Sequence, residues 1–127
     1  MVLHALSEAW GGEIFVPKIP SYRIVDVAEA IGPECEQLVV GIRPGEKIHE
    51  EMITASDSFN TVDVGGYYVI LPQTFRYTKG EYMEQNDAKA VPPDFTYSSG
   101  TNEEWLSVED IRSLIATHLY PGFSIHE

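Results

Sequence analysis

A single cysteine, Cys35, leaves this 127-residue chain no internal disulfide and no multi-cysteine metal centre. That usage fits a reducing compartment, and the chain reads as cytoplasmic. Cations are scarce as well: eight Lys and Arg stand against twenty Asp and Glu, a net charge of −12. Duplex nucleic acid and anionic membrane surfaces repel such a chain, so neither is expected as a partner. No apolar run approaches a membrane span, and residues 1–10 lack the charged-then-apolar plan of a signal peptide. The four histidines, at 4, 49, 118 and 126, follow no ligand spacing. His49-Glu50 would need a second histidine four residues on, and Ile53 stands there, so no metal site is expected.

What is present is an ordinary globular balance, 43% hydrophobic and 22% charged, in a length that predicts one domain over 1–127. Val2 to Trp10 carries Leu3, Leu6 and Trp10 at helical spacing and stops at Gly11-Gly12. No capping residue precedes Val2, as at a natural terminus that frays or, in the sharper reading, at a cut through a longer protein. Glu13 to Val16 reads as a strand closed by Pro17, with Lys18-Ile19-Pro20 a stiff connector. Ser21 is expected to cap a helix with Ile24, Val27, Ala28 and Ile31 on its inner face, ending at Gly32-Pro33. Leu38-Val39-Val40 is expected to be the next strand. The opening α-β-α-β alternation predicts an α/β class (α+β in isolation), with short strands, about three helices and one hairpin.

Lys47 to Ile53 is read as one or two helical turns and Thr54 to Ser58 as polar loop. Gly65-Gly66 between two β-rich runs, 61–64 and 67–71, predicts a two-residue hairpin. From Gln73 to Trp105 the chain looks irregular yet aromatic, with Phe75, Tyr77, Tyr82, Phe95, Tyr97 and Trp105. Residues 73–106 therefore read as a long loop, either covering the core or acting as a lid. Ser107, with Asp110 three residues on, opens a last helix whose Val108, Ile111, Leu114, Ile115 and Leu119 face inward.

The stretch carrying the most chemistry is Gly41 to Glu51, G-I-R-P-G-E-K-I-H-E-E. Pro44 sets φ and Gly45 permits a positive one, so the backbone turns sharply after Arg43. That turn gathers a guanidinium, the Glu46 carboxylate and the Lys47 ammonium. Guanidinium grips phosphate through paired hydrogen bonds, and a carboxylate accepts from ribose hydroxyls. A nucleotide diphosphate suits the set; so does the plainer alternative of a charged turn facing water.

Four ordered segments carry a resemblance. Residues 12–21 (G-E-I-F-V-P-K-I-P-S), 41–50 (G-I-R-P-G-E-K-I-H-E), 67–70 (Y-Y-V-I) and 97–107, with Tyr97-Ser98-Ser99 and Thr101 to Ser107, resemble the carboxyl-terminal part of the inverting UDP-N-acetylglucosamine 4,6-dehydratases. These are extended short-chain dehydrogenase/reductases of pseudaminic acid and related surface-sugar biosynthesis. The resemblance implies a small substrate-binding domain whose Rossmann partner, with NADP and the catalytic residues, lies outside this chain. It implies that Arg43 meets the pyrophosphate of a UDP-sugar, that Glu46 meets the ribose and that Lys47 adds supporting charge. Lys18 is a further substrate-binding candidate, with a solvated connector lysine as its alternative.

The chain departs from a complete enzyme of that kind. It has no Gly-x-Gly-x-x-Gly turn, and none of its tyrosines is followed four residues on by lysine. No catalytic residue and no cofactor are therefore assigned to it, and it is predicted inactive alone. Three roles remain open: a UDP-sugar-binding portion, a self-associating non-enzymatic module, or a half-enzyme completed by a separate Rossmann chain.

Overall fold

The computed structural model describes residues 1–73 and 76–124. Phe75 and His126, singled out above, lie outside the described residues. The chain divides into two compact units, one of Met1–Ile19 with His49–Thr101 and one of Pro20–Ile48 with Asn102–Glu127.

In the first unit, helix α1 (Val2–Glu8) leads to strand β1 (Ile14–Pro17). Strands β3 (Thr61–Asp63) and β4 (Tyr67–Ile70) form the expected hairpin. Val64 N–H donates to Tyr67 O at 3.0 Å across a two-residue loop in which Gly65 alone takes a positive φ, +94°. That is the type II′ pattern, whose twist matches the flanking strands. β1 pairs antiparallel with β4, and β5 (Lys89–Ala90) with β3, giving the order β1-β4-β3-β5. Strands β2 (Glu51–Ile53) and β6 (Tyr97–Ser98) pair separately. The core is Val62, Val69, Leu71, Tyr82 and Ala88, with Val62 and Val69 fully enclosed.

Several expectations for this unit are corrected. Lys47 to Ile53 is not helical; its end is β2, held by the Glu50–Ser99 backbone bond and its neighbours. Ala55–Asn60 is a 3-10 helix rather than loop, since the Asp57 carboxylate reaches back to Thr54 N at 3.1 Å in a capping box. Residues 73–106 contain β5, β6 and helix α3 (Lys79–Gln85). The α3 signal is Thr78-Lys79-Gly80-Glu81: Thr78 Oγ1 accepts from Glu81 N, and Glu81 Oε2 accepts from Thr78 N. Helix α1 forms but buries nothing, leaving Leu3 and Leu6 82% and 77% exposed.

In the second unit, helix α2 (Ile24–Ile31) contacts α4 (Val108–Leu114), which runs on into a π-helical turn, Ile115–Leu119. Arg112 clamps the pair, donating to the carbonyls of Ala30 (3.3 Å) and Glu29 (3.2 Å). Ser107 and Asp110 make the expected capping box. Ser21 does not cap α2. It forms a parallel bridge with Trp105, accepting at its carbonyl from Leu106 N, while Arg23 takes the cap position. The inner face of α2 is also different: Ala30 is buried, and Ile24, Ala28 and Ile31 are exposed. On α4, Ile111 is buried but Leu114 is exposed, as is Leu119 in the π-helical turn. Leu38-Val39-Val40 is not a strand. Residues 36–42 donate no backbone hydrogen bond among the described residues, and a strand needs a neighbour to pair with.

Candidate functional site

The turn after residue 42 closes as its composition requires. Glu46 N–H donates to Arg43 O at 3.1 Å, and Gly45, following Pro44, has φ +87°. Proline at the second position and a positive φ at the third define a type II turn. The side chain of Glu46 folds back as well: Oε2 accepts from Arg43 N at 2.8 Å, and Oε1 lies 3.9 Å from Arg43 Nε. Backbone and side chain thus tie residues 43 and 46 together in both directions. The Arg43 side chain remains 80% exposed, and its terminal nitrogens have no protein partner among the described residues. Lys47 follows on the same exposed stretch and makes no ion pair among the described residues.

Arg43, Glu46 and Lys47 belong to one unit and Lys18 to the other. Lys18 is tied down: Nζ donates to both carboxylate oxygens of Asp63, at 2.8 and 2.9 Å, and sits 4.5 Å from the Tyr68 ring centroid. Burial works to lower the Lys18 pKa, but the bond to Asp63 and its charge outweigh this and hold it above the ordinary value. Asp63 mirrors it: burial pushes its carboxyl up, the Lys18 and Gly65 hydrogen bonds pull harder, and it titrates below the usual range. Tyr97 braces the same connector, donating to Ile19 O and accepting from Ile19 N. Asp63 and Tyr68 were not read as partners of Lys18 because only the pairing of β1, β4 and β3 brings them there, and Tyr97 reaches Ile19 from the separate β2–β6 pair. The one local signal was Asp63 two residues before Gly65, whose N–H it accepts at 2.8 Å.

His49, next to the turn in sequence, lies in the first unit with Nδ1 3.5 Å from Ser99 Oγ. Among the described residues no three His, Cys, Asp or Glu side chains converge as metal ligands, and no helix is long and apolar enough to cross a membrane. The glycine pairs do not make a dinucleotide cradle. Gly11-Gly12 runs from a helix into a strand, the reverse of the strand-to-helix order that phosphate binding uses, and Gly65-Gly66 joins antiparallel strands.

Known proteins give the turn a context. Two UDP-N-acetylglucosamine 4,6-dehydratases (inverting) of Campylobacter jejuni, strains NCTC 11168 and 81-176, are 38% and 36% identical over 118 residues, 90% of this chain. A UDP-glucose 4-epimerase of Rickettsia akari is 30% identical over 92% of it. The chain spans only 35% of the length of each of these relatives. In structure it is similar to Pen from Bacillus thuringiensis, with a TM-score of 0.64 and 27% identity over 89% of this chain and 33% of that one. Residues 1–72, more than half of the sequence, match the polysaccharide biosynthesis protein family, and the chain belongs to that family.

Proposed function

We propose that this chain is the UDP-sugar-binding portion of a nucleotide-sugar 4,6-dehydratase that inverts C5, working in the cytoplasm in surface-polysaccharide or pseudaminic acid biosynthesis. The observation that carries the reading is the Arg43 guanidinium, held out on a type II turn with its terminal nitrogens unshared by the described residues. A planar fork of that kind matches a diphosphate. Similarity to dehydratases and an epimerase of UDP-sugars supports the ligand class. Glu46 and Lys47 complete the turn, and Lys18 is a weaker candidate because its ammonium is already paired with Asp63. In this reading NADP and the proton-transfer groups belong to a Rossmann domain outside the chain, and the chain alone turns over no substrate. Titration calorimetry with UDP-N-acetylglucosamine should show weak binding that Arg43→Ala weakens at least tenfold. Heat unchanged by that substitution would remove Arg43 from the site.

A second reading is favoured by the apolar residues left outside: Leu38, Val39 and Val40 are 79%, 93% and 77% exposed. Patches of this kind mark association surfaces. The chain then acts as a self-associating module, or as a half-enzyme completed by a separate Rossmann chain. A mass in sedimentation that rises with concentration, and falls for Val39→Lys, supports self-association. NADP-dependent turnover on mixing with a Rossmann chain supports the half-enzyme.

A further inference from the structure

We infer that residues 19–21 and 101–102 form a hinge between the two compact units, and that residues 46–50, on the remaining link, are the tether that limits its swing.

The chain passes between the units three times, after Ile19, after Ile48 and after Thr101. The first and last passages are clamped at both ends. In the first unit the Tyr97 hydroxyl accepts from Ile19 N at 2.8 Å and donates to Ile19 O at 2.9 Å. Thr101 N donates to Ser98 O at 3.2 Å, so β6 and the turn after it hold both passages. In the second unit Ser21 N donates to Glu104 O and Leu106 N to Ser21 O, each at 2.8 Å. Asn102 Nδ2 adds a bond to Oγ of the buried Ser21 at 3.0 Å. Between the clamps lies only Pro20, with its fixed φ, on one passage and a single peptide bond on the other. Two short passages held side by side leave rotation about the line that joins them and oppose twisting.

The middle passage is built differently. On the first unit Ser99 N donates to Glu50 O at 2.8 Å and Glu50 N to Ser99 Oγ at 3.1 Å. The His49 ring lies against Gly100, where an added Cβ would come within 2.9 Å of it. On the second unit Glu46 N closes the turn on Arg43 O. Between these anchors Lys47 and Ile48 neither donate nor accept a backbone hydrogen bond among the described residues. The step from Glu46 to Glu50 spans at most about 14 Å when extended, which caps the swing. Lys18, braced by Asp63 beside the pivot, stays with the first unit, and Arg43 travels with the second. The hinge therefore sets the range of separations open to these two cations.

Pulsed electron paramagnetic resonance reads the swing as a distance distribution between two spin labels. One sits on Cys35, exposed in the second unit, and the other on Glu84→Cys, exposed in the first. Two glycines inserted between Lys47 and Ile48 lengthen the tether by about 7 Å and should widen the distribution by about half. Tyr97→Phe, which removes one hydroxyl and keeps the ring against Tyr68, should widen it about twofold. The Val69 and Ile111 amides, one in each unit, should stay protected from hydrogen exchange in both variants, which separates hinge motion from unfolding. In the parent, Ser21 and Leu106 amides should exchange about tenfold more slowly than those of Lys47 and Ile48. A width unmoved by the insertion overturns the tether, and one unmoved by Tyr97→Phe overturns the hinge. Equal exchange at Ser21 and Ile48 overturns the distinction between clamped and slack links. Should Tyr97→Phe lose core protection, Ser21→Ala, which removes the acceptor of Asn102 Nδ2, takes its place, and an unchanged width there overturns the hinge.

Discussion

Lys18 and Arg43 are both cations next to a proline in the sequence, yet their surroundings separate them. Lys18 has two carboxylate oxygens within 2.9 Å and a ring beneath it; Arg43 has one carboxylate oxygen at 3.9 Å, and its exposed terminal nitrogens have no partner among the described residues. The first arrangement serves structure, and its pH dependence follows from the sign of the Asp63 shift. The Asp63 carboxyl is depressed in the folded chain, so its contribution is present above the unfolded pKa of about 4 and is lost as pH falls through the lower folded value. Lys18 is raised, so its part is intact at neutral pH and is lost only in strong alkali. Asp63→Asn should therefore lower stability at pH 7 by under about 1 kcal/mol, the range for partly exposed pairs. Urea unfolding should show that difference shrinking below about pH 4. A difference that grows with acid would contradict the pairing.

At the scale of elements, two apolar runs that look alike in the sequence have opposite fates. Tyr68-Val69-Ile70 lies in β4 between β1 and β3, with Val69 fully buried; Leu38-Val39-Val40 has no partner strand, with Val39 93% exposed. Val69→Ala should cost about 2 kcal/mol through lost burial and the cavity left behind, whereas Val39→Ala should change stability by less than about 0.5 kcal/mol. Chemical denaturation of both variants checks the contrast. The hairpin was legible because Gly65-Gly66 is itself the turn signal. The fate of residues 38–40 was not, because pairing is a property of a neighbour. Helix α3 was legible in principle through Thr78 and Glu81, but the aromatic, glycine-bearing context hid it. Tyr82 on that helix enters the core, and burial pushes its hydroxyl up to about 12.

For the whole molecule, net charge and exposed apolar surface oppose each other. At −12 the copies repel, while α1, α2 and residues 38–42 leave leucines, isoleucines and valines in water. Salt screens the repulsion without weakening apolar contact. Any self-association should therefore strengthen as ionic strength rises from about 0.02 to about 0.5 M, and sedimentation equilibrium reads this directly. Association that weakens over that range would point to ion pairs as the glue instead.

The sequence by itself determined the local features: the Gly65-Gly66 hairpin, the Ser107–Asp110 helix start, the Pro44-Gly45 turn and the four segments that carry the family likeness. Each is written in a few adjacent residues whose dihedral limits and hydrogen-bonding groups act over one turn of chain. Tertiary structure alone decided that Lys18 is tied to Asp63, that Ser21 bridges to Trp105 rather than capping α2, and that the apolar faces of α1 and α2 stay largely uncovered. Those outcomes depend on partners tens of residues away, and on apolar surface finding or failing to find cover, which periodicity in one segment does not encode.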